Sequence, residues 1–523
     1  MKKTKLTLSV ALNVLFVAVA FAQAPGTFNA NFGTNGYLGL DVNGKDQAGF
    51  AAAVQPDGKI LVGGVHEHSN NNYDWLIYRL NENGTPDNTF SGDGQYSTSF
   101  STQDVPQSIA VQPDGKIVIC GNALVGAGDE DMIVHRLNAN GTIDNSFGTG
   151  GTVQLDRSGG AVDRAIRVKI GPNGKIYVGG YMGILGDVYF IVHRLNPNGT
   201  PDSTFSLDGN TFVNMNADAL MTDMDVAADG SVILSGAVDD NGLTKMVLIK
   251  IKNNGHFDDN FAGDGIKLFT PGLNVGAILY GVRMLPNGKI LGVGTKLTNG
   301  IDGLVVRLNP NGLLDPTFNN LGYQTYDLSI GAKDAFTGVE LLATGNFLLL
   351  GYTSVNNIDK GILVQLDSTG AIDMNNYGNG TGKLLISMSN GSEDVRGFAI
   401  DNTHAYTVGT YNAAQSNDIF VTSSYLYNPI SIVENELNSN TVKIFPNPAS
   451  AMQPITVHLD EEIQGNVQID VYSMAGQQVY HDAFYKASNN YQHVLTLSAS
   501  TRGVYLVRIT NGERTGTQKL IIQ

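Results

Sequence analysis

A short segment that returns about every 57 residues limits what this chain can fold into more than any other feature. QPDGKI occupies 55–60 and again 112–117, GPNGKI follows at 171–176, and LPNGKI stands at 285–290. Looser copies fill the gaps: AADGSVI at 227–233, LATGNFL at 342–348 and, most worn, IDNTHAY at 400–406. The turn glycines Gly58, Gly115, Gly174, Gly230, Gly288 and Gly345 lie 57, 59, 56, 58 and 57 residues apart. A fixed period of this length marks an array of supersecondary units, each burying its apolar faces only by stacking on its neighbours. The copies number seven.

A second marker follows half a period later. RLNENGTPDNTF at 79–90, RLNANGTIDNSF at 136–147, RLNPNGTPDSTF at 194–205, KIKNNGHFDDNF at 250–261 and RLNPNGLLDPTF at 307–318 are close copies, and QLDSTGAIDMNNY at 365–377 is a worn one. Each ends in an aromatic residue: Phe90, Phe147, Phe205, Phe261, Phe318 and Tyr377. A further member of the series, Phe32, precedes the first turn, whereas the seventh repeat lacks this half. The array therefore begins in mid-repeat.

Within one repeat, AIRVKIGPNGKIYVGGYM reads as two short strands around a Pro-Asn-Gly turn, in which Pro presets φ and Gly accepts a positive one. VYFIVHRLNPNGTPDSTF supplies a third strand and another Asn-Gly turn, and TFVNM a fourth strand. The unit is a four-stranded antiparallel sheet with two faces to cover. Stacking seven of them around an axis gives an all-β, seven-bladed β-propeller, expected over residues 23–427. FGTNGYLGLDV at 32–42 is expected to supply the strand missing from the last repeat, joining first and last blades and leaving no open edge. An open solenoid would need capping units, whereas this chain has complementary half-repeats at its two ends. The two motifs and their period resemble the delta-60 repeat family, which implies a β-propeller and carries no general activity.

The periodicity stops near NPISIVENELNSNTV, and 428–441 reads as a linker. Beyond it, alternating runs such as NVQIDVYSM, HVLTLS and VYLVRIT between Gly- and Asn-containing turns point to a small Ig-like β-sandwich over 442–523. IFPNPAS at 444–450, VYSMAGQQVY at 471–480 and GVYLVRITNGERTGTQKLIIQ at 503–523 resemble the type A sorting domain of Bacteroidetes type IX secretion substrates. The resemblance implies the type IX machinery as a partner, passage through the outer membrane, and release or attachment at the cell surface.

The opposite end agrees with export. MKKTKLTLSVALNVLFVAVAFAQA has a lysine-rich start, an apolar run from Leu6, and small residues Ala20 and Ala22 suited to cleavage before Gln23, so 1–22 reads as a signal peptide. No later stretch has the length and apolarity of a membrane span. The single cysteine, Cys120 in KIVICG, is expected in the core. The net charge of −16, with no dense Lys/Arg cluster, argues against nucleic acid as a partner.

Residues needed for chemistry should depart from the repeat, whereas recurrent ones maintain it. Asp46, Asp104, Asp163, Asp218, Asp334 and Asp394 recur just before the strand that precedes each turn. As an axial ring they could hold Ca2+ through oxygen ligands, while as turn caps they would bind nearby backbone N–H groups, which is the expectation preferred. Asp87, Asp144, Asp202, Asp258, Asp315 and Asp373 lie eight residues after Arg79, Arg136, Arg194, Lys250, Arg307 and Gln365, and read as turn braces whose exposed pairs would add little energy. His66 and His68 form an isolated HxH, expected to be a solvated loop, and the Asp-Gly turns at Asp93, Asp208 and Asp264 lack a full calcium-binding loop. No GxSxG, HExxH, phosphate-binding loop or paired-cysteine motif occurs. The expectation is a monomeric, non-catalytic surface or secreted binding protein for a glycan or protein. The alternative is an exported polysaccharide hydrolase or lyase whose acids are assembled from several loops.

Overall fold

The computed structural model describes residues 24–426 and 442–522, apart from 42–43, 70–71, 127, 158, 161, 185–186, 298–299, 330, 357, 413–415, 451–452, 460–462, 474–477, 487–490, 498–501 and 512–513. The expected signal peptide and linker lie outside these residues. Contacts divide the chain into two compact units, one spanning Gln23–Pro429 and one containing Ile430–Gln523.

In the larger unit, each repeat folds as four antiparallel strands in chain order. The first sheet is typical: Gln47–Val54, Ile60–Ser69, Asn72–Leu80 and Gln95–Thr98 pair as sequential neighbours. The later sheets open with the strands Asp104–Val111, Asp163–Ile170, Ala219–Val226, Gly276–Met284, Lys333–Leu341 and Glu393–Ile400. Each opening strand packs on those of the two adjacent sheets, and the seventh returns to the first, so these strands line an axis. A single parallel bridge, Ile301 to Lys333, links the fifth and sixth sheets. Among the described residues the ring thus holds seven four-stranded sheets, including the fourth, sixth and seventh, whose sequences depart most from the repeat.

The last sheet closes the ring as the sequence leads one to expect. Its fourth strand is Tyr37–Leu40, paired with Asn417–Tyr425 in the register Tyr37 to Thr422 through Leu40 to Ile419. Chain ends almost 400 residues apart are thereby hydrogen-bonded, and the edge that would otherwise invite pairing is covered.

Alternation with period two explains why both faces of each sheet are apolar. Ile60, Val62, Leu76 and Tyr78 face the seventh sheet and share a core with Tyr406, Val408 and Ile419. Leu61, Trp75 and Ile77 face the second sheet and meet Ile109, Ile117 and Ile133. Cys120 is fully buried, and burial pushes its thiol up to about 12.

The RLNxNGTxDxTF motif fastens one sheet to the next. Arg136 pairs with Asp144 beneath the third strand, lies over the Phe147 ring at 4.4 Å, and donates to the carbonyl of Pro197 in the following repeat. Arg79, Arg194 and Arg307 do the same with Ala139, Asn253 and Ser368. The terminal aromatic sits under the next repeat's Asn-Gly turn. At Gly141 (φ +84°) an added Cβ would lie 2.7 Å from the Phe90 ring, so the turn needs glycine for its conformation and for the close approach.

The smaller unit is a two-layer β-sandwich. Val442–Phe445, Ile455–Leu459 and Tyr491–Leu495 form one sheet, and Gln478–Lys486, Gly465–Ser473, Gly503–Asn511 and Arg514–Ile522 the other, in that spatial order. Val457, Leu459, Val467, Ile469, Val507 and Ile509 fill the space between them.

Candidate functional site at the propeller axis

All seven inner strands carry a bulge at the same place. Their register slips between Gly49 and Ala51, Pro106 and Ser108, Ala165 and Arg167, Met221 and Asp223, Leu279 and Gly281, Phe336 and Gly338, and Val395 and Gly397. A bulge bends its strand and re-aims the side chains beside it. The four residues after each bulge superpose as AAAV, SIAV, RVKI, DMDV, GVRM, GVEL and GFAI. The third position is therefore Ala53, Ala110, Lys169, Asp225, Arg283, Glu340 and Ala399 in turn: alanine on one side of the axis, alternating charge on the other.

These charges form one network. Asp223 accepts from Arg167 Nε at 2.6 Å and from Arg283 Nη1 at 3.1 Å, while Arg283 Nη2 reaches Glu340 at 2.7 Å and Lys169 stands 3.7 Å from Asp225. Burial opposes ionisation of Asp223 and Glu340, but the surrounding cations outweigh it and hold both carboxyls below their ordinary range. Asp223 and Asp225 also accept from the main-chain N–H of Val282 and Met284, at 3.0 and 2.8 Å. They thus satisfy donors on the inner edge of the fifth sheet that no strand pairs. A cavity of about 310 Å³ lies beside this network, lined on the opposite wall by Phe50, Ala52, Phe398 and Ile400.

At the end of the axis where the inner strands begin, a wider mouth of about 1100 Å³ opens between the sixth, seventh and first sheets. Its walls carry three aromatic side chains, Phe50, Tyr352 and Tyr411, with Asp359, Asn390, Asp394, Arg396, Asn412 and Asn417 among them. Arg396 stacks over Phe50 at 4.7 Å and holds Asp394 at 2.6 Å. Glu393, fully buried beneath them, accepts from Met388 N, Ser389 N and Lys360 Nζ at 2.8–2.9 Å.

The structure does not bring the six recurrent aspartates together. Asp104 opens its strand with no exposure and caps the preceding loop through the N–H groups of Phe100 and Ser101. Asp163 and Asp334 hold the same place and accept from Arg157 N at 2.8 Å and Leu328 N at 2.7 Å. In the seventh sheet the place belongs to Glu393, and Asp394 points instead to solvent and Arg396. Asp46 and Asp218 fall one residue before the corresponding Gln47 and Ala219, and Asp46 accepts from Asn417 N at 2.9 Å. Among the described residues, no three of the six come within joint reach of one ion.

The Arg–Asp braces differ from the exposed pairs expected. They are buried, with side-chain exposures of 4% and 7% for Arg136 and Asp144. His66 Nε2 lies 3.0 Å from Ser97 Oγ, His68 is exposed, and Asp93, Asp208 and Asp264 accept from N–H groups two residues on. The charged half of the axis was missed, although aligning the four residues before each turn exposes it.

A ring of four-stranded repeat sheets, closed by its own N-terminal strand, defines a β-propeller, and the separate C-terminal sandwich defines a second module. Residues 55–90, 112–147, 171–205 and 285–318 match a β-propeller domain of unknown function, DUF5122, and residues 443–523 match the secretion system C-terminal sorting domain. The chain is a β-propeller protein with a type IX sorting tail, which marks it for export to the cell surface or extracellular space and implies engagement with that machinery. Among the described residues, no helix is long and apolar enough to cross a membrane.

Similar solved structures include a protein of unknown function from Dyadobacter fermentans, with 11% identity, covering 74% of this chain and 97% of that one at a TM-score of 0.39. A PL25 ulvan lyase bound to a saccharide shares 10% identity over 75% and 96% of the two chains at 0.46. Trypanosoma rangeli sialidase shares 11% over 82% and 86% at 0.32. A comparison with curated proteins returned no match.

Proposed function

We propose that the propeller is a non-catalytic, monomeric binding protein for an extracellular glycan, seated at the mouth between the sixth, seventh and first sheets. The observation that carries this reading is the combination, in one open cleft, of the aromatic side chains Phe50, Tyr352 and Tyr411 with planar polar groups on Asp394, Arg396, Asn412 and Asn417. Aromatic faces cover the C–H surface of a sugar ring, and amides, carboxylates and guanidinium supply the fixed donors and acceptors that hydroxyls need. Binding is favoured over turnover because two of the three carboxylates at the mouth are committed to partners, Asp394 to Arg396 and Glu393 to Lys360 and two amides. In the same reading, residues 1–22 are removed on export and 428–441 tether the propeller to its sorting domain.

Screening the mature chain against a panel of polysaccharides, with calorimetry on the hits, tests this. One saturable site, abolished by Phe50→Ala and by Tyr411→Ala without loss of folding, is expected. Release of shortened or unsaturated products would instead establish a hydrolase or lyase.

A further inference from the structure

At several junctions, the first–second, second–third and sixth–seventh among them, two positions correspond: the residue six before the end of one sheet's third strand, and the opening residue of the next sheet's inner strand. Between the sixth and seventh sheets these are Lys360 and Glu393. The Lys360 ammonium donates to the carbonyls of Ser389 and Gly391, both at 2.6 Å, and to Glu393 Oε1 at 2.9 Å, with Oε2 at 2.8 Å. A cation thus sits in a shell of carbonyl and carboxylate oxygens.

Between the second and third sheets the same positions hold Asp131 and Asp163. Asp163 keeps the capping role of Glu393, accepting from Arg157 N at 2.8 Å, but the cation is replaced by a carboxylate. A third carboxylate, Asp156, hangs from the capped loop, and one oxygen from each of the three lies within 4.8 Å of the others. Asp131 is 2% exposed; its Oδ2 accepts from the Gln154 amide, and its Oδ1 has no hydrogen-bond partner. The guanidinium groups nearby are engaged elsewhere, Arg164 with Glu130 at 2.6 Å and Arg157 with Asp208 at 3.2 Å. Three converging carboxylates with a buried, unbonded oxygen require a counter-charge.

We propose that this junction binds a divalent cation, Ca2+ by its all-oxygen donor set, through Asp131, Asp156 and Asp163, where the sixth–seventh junction uses the Lys360 ammonium. Asp156 is exposed, so water can complete the six to eight oxygens that Ca2+ takes. The corresponding positions carry Asp74 and Asp104 between the first and second sheets and Asp302 and Asp334 between the fifth and sixth, but among the described residues only Asp131, Asp156 and Asp163 bring three acids within 4.8 Å of one another.

The test uses the mature chain, propeller and sorting domain together, stripped with a chelator and titrated with CaCl2 by calorimetry and thermal melting at pH 7.5. Binding at one site, in the ~10⁻⁴–10⁻³ M range of extracellular modules, with a higher Tm in millimolar Ca2+, is expected. Asp131→Asn and Asp156→Asn should each weaken binding at least about tenfold, the fold-change of one lost ligand interaction of ordinary size. Asp131→Lys should recreate the sixth–seventh arrangement: a Tm at or above that of the Ca2+-loaded parent, with no response to Ca2+ or chelator. The proposal is overturned if the stripped parent shows neither heat nor a Tm change with Ca2+, or if binding survives both Asn variants undiminished. It is equally overturned if the stripped parent ignores Ca2+ and gains stability as pH is lowered toward 5, since a shared proton would then supply the counter-charge.

Discussion

Arg136 and Asp144 are locked together beneath the second sheet, Nη2 to Oδ2 at 2.8 Å and Nε to the same oxygen at 2.8 Å, with side-chain exposures of only 4% and 7%. The same pair recurs as Arg79–Asp87, Arg194–Asp202 and Arg307–Asp315 at 2.6–2.8 Å. Lys250–Asp258 spans 3.1 Å, and Gln365 keeps a neutral version with Asp373 at 2.9 Å. Since each arginine also donates to the next repeat, the pair joins sheets as well as strands.

Removing one partner leaves the other charged and buried. Asp144→Ala is expected to destabilise the propeller by about 3–5 kcal/mol, the usual cost of breaking a buried pair from one side. The midpoint of urea unfolding measures it. A change below about 1 kcal/mol would place the pair among surface ion pairs.

Acid should unfold the propeller through these aspartates. Burial alone would raise Asp87 and Asp202, but bonds from Thr89 and Thr204, the lysines Lys59 and Lys175, and the charges of Arg79 and Arg194 outweigh it and hold both at about 2. Asp144 and Asp315 are lowered further by equivalent partners. A depressed carboxyl contributes stability that is complete above its unfolded value near 3.8 and is lost as pH falls through its folded value. Unfolding free energy should therefore be flat down to about pH 4 and fall steeply toward pH 2. Circular dichroism melts across that window check it, and Asp87→Asn should make the fall shallower.

Gly141 combines φ +84° with a ring 2.7 Å from its missing Cβ, whereas Gly263, at φ +96°, has nothing within 4 Å. Gly263→Ala should cost about 1–2 kcal/mol, the left-handed penalty alone. Gly141→Ala should cost clearly more because Phe90 must also move. Equal costs, measured by denaturant midpoints, would mean the ring yields freely.

On the axis, Asp223→Ala would leave Arg167, Arg283 and the Val282 N–H without their shared acceptor. A loss of about 3–5 kcal/mol is expected. Ala53→Ser, on the alanine side, should change stability little, and the contrast between the two is the measurement that shows the charge network holds the axis.

What the sequence disclosed and what it hid follow from how each feature repeats. Turn glycines and the terminal aromatics repeat with the backbone, so Gly58 and Phe90 alone suffice to phase the strands. The closing strand was legible because Phe32 belongs to the aromatic series but precedes the first turn. Registry to one residue was not: the seventh repeat has adjacent acids, Glu393 and Asp394, and only the strand pairing shows that Glu393, not Asp394, is equivalent to Asp104. Burial of the Arg–Asp pairs was hidden as well, because a pair eight residues apart is covered by the next repeat's turn, which local spacing does not reveal. The mouth was invisible for the same reason, as Phe50 and Arg396 are adjacent only once the ring is shut.

Closure therefore underlies both the fold and the candidate glycan site, and hydrogen–deuterium exchange of the mature chain tests it most directly. If Tyr37–Leu40 completes the seventh sheet, its amides facing Asn417–Tyr425 should be protected like those of His404–Asn412 and lose protection at the same denaturant concentration. Rapid exchange across 37–40 while 404–412 stays protected would contradict the closed ring.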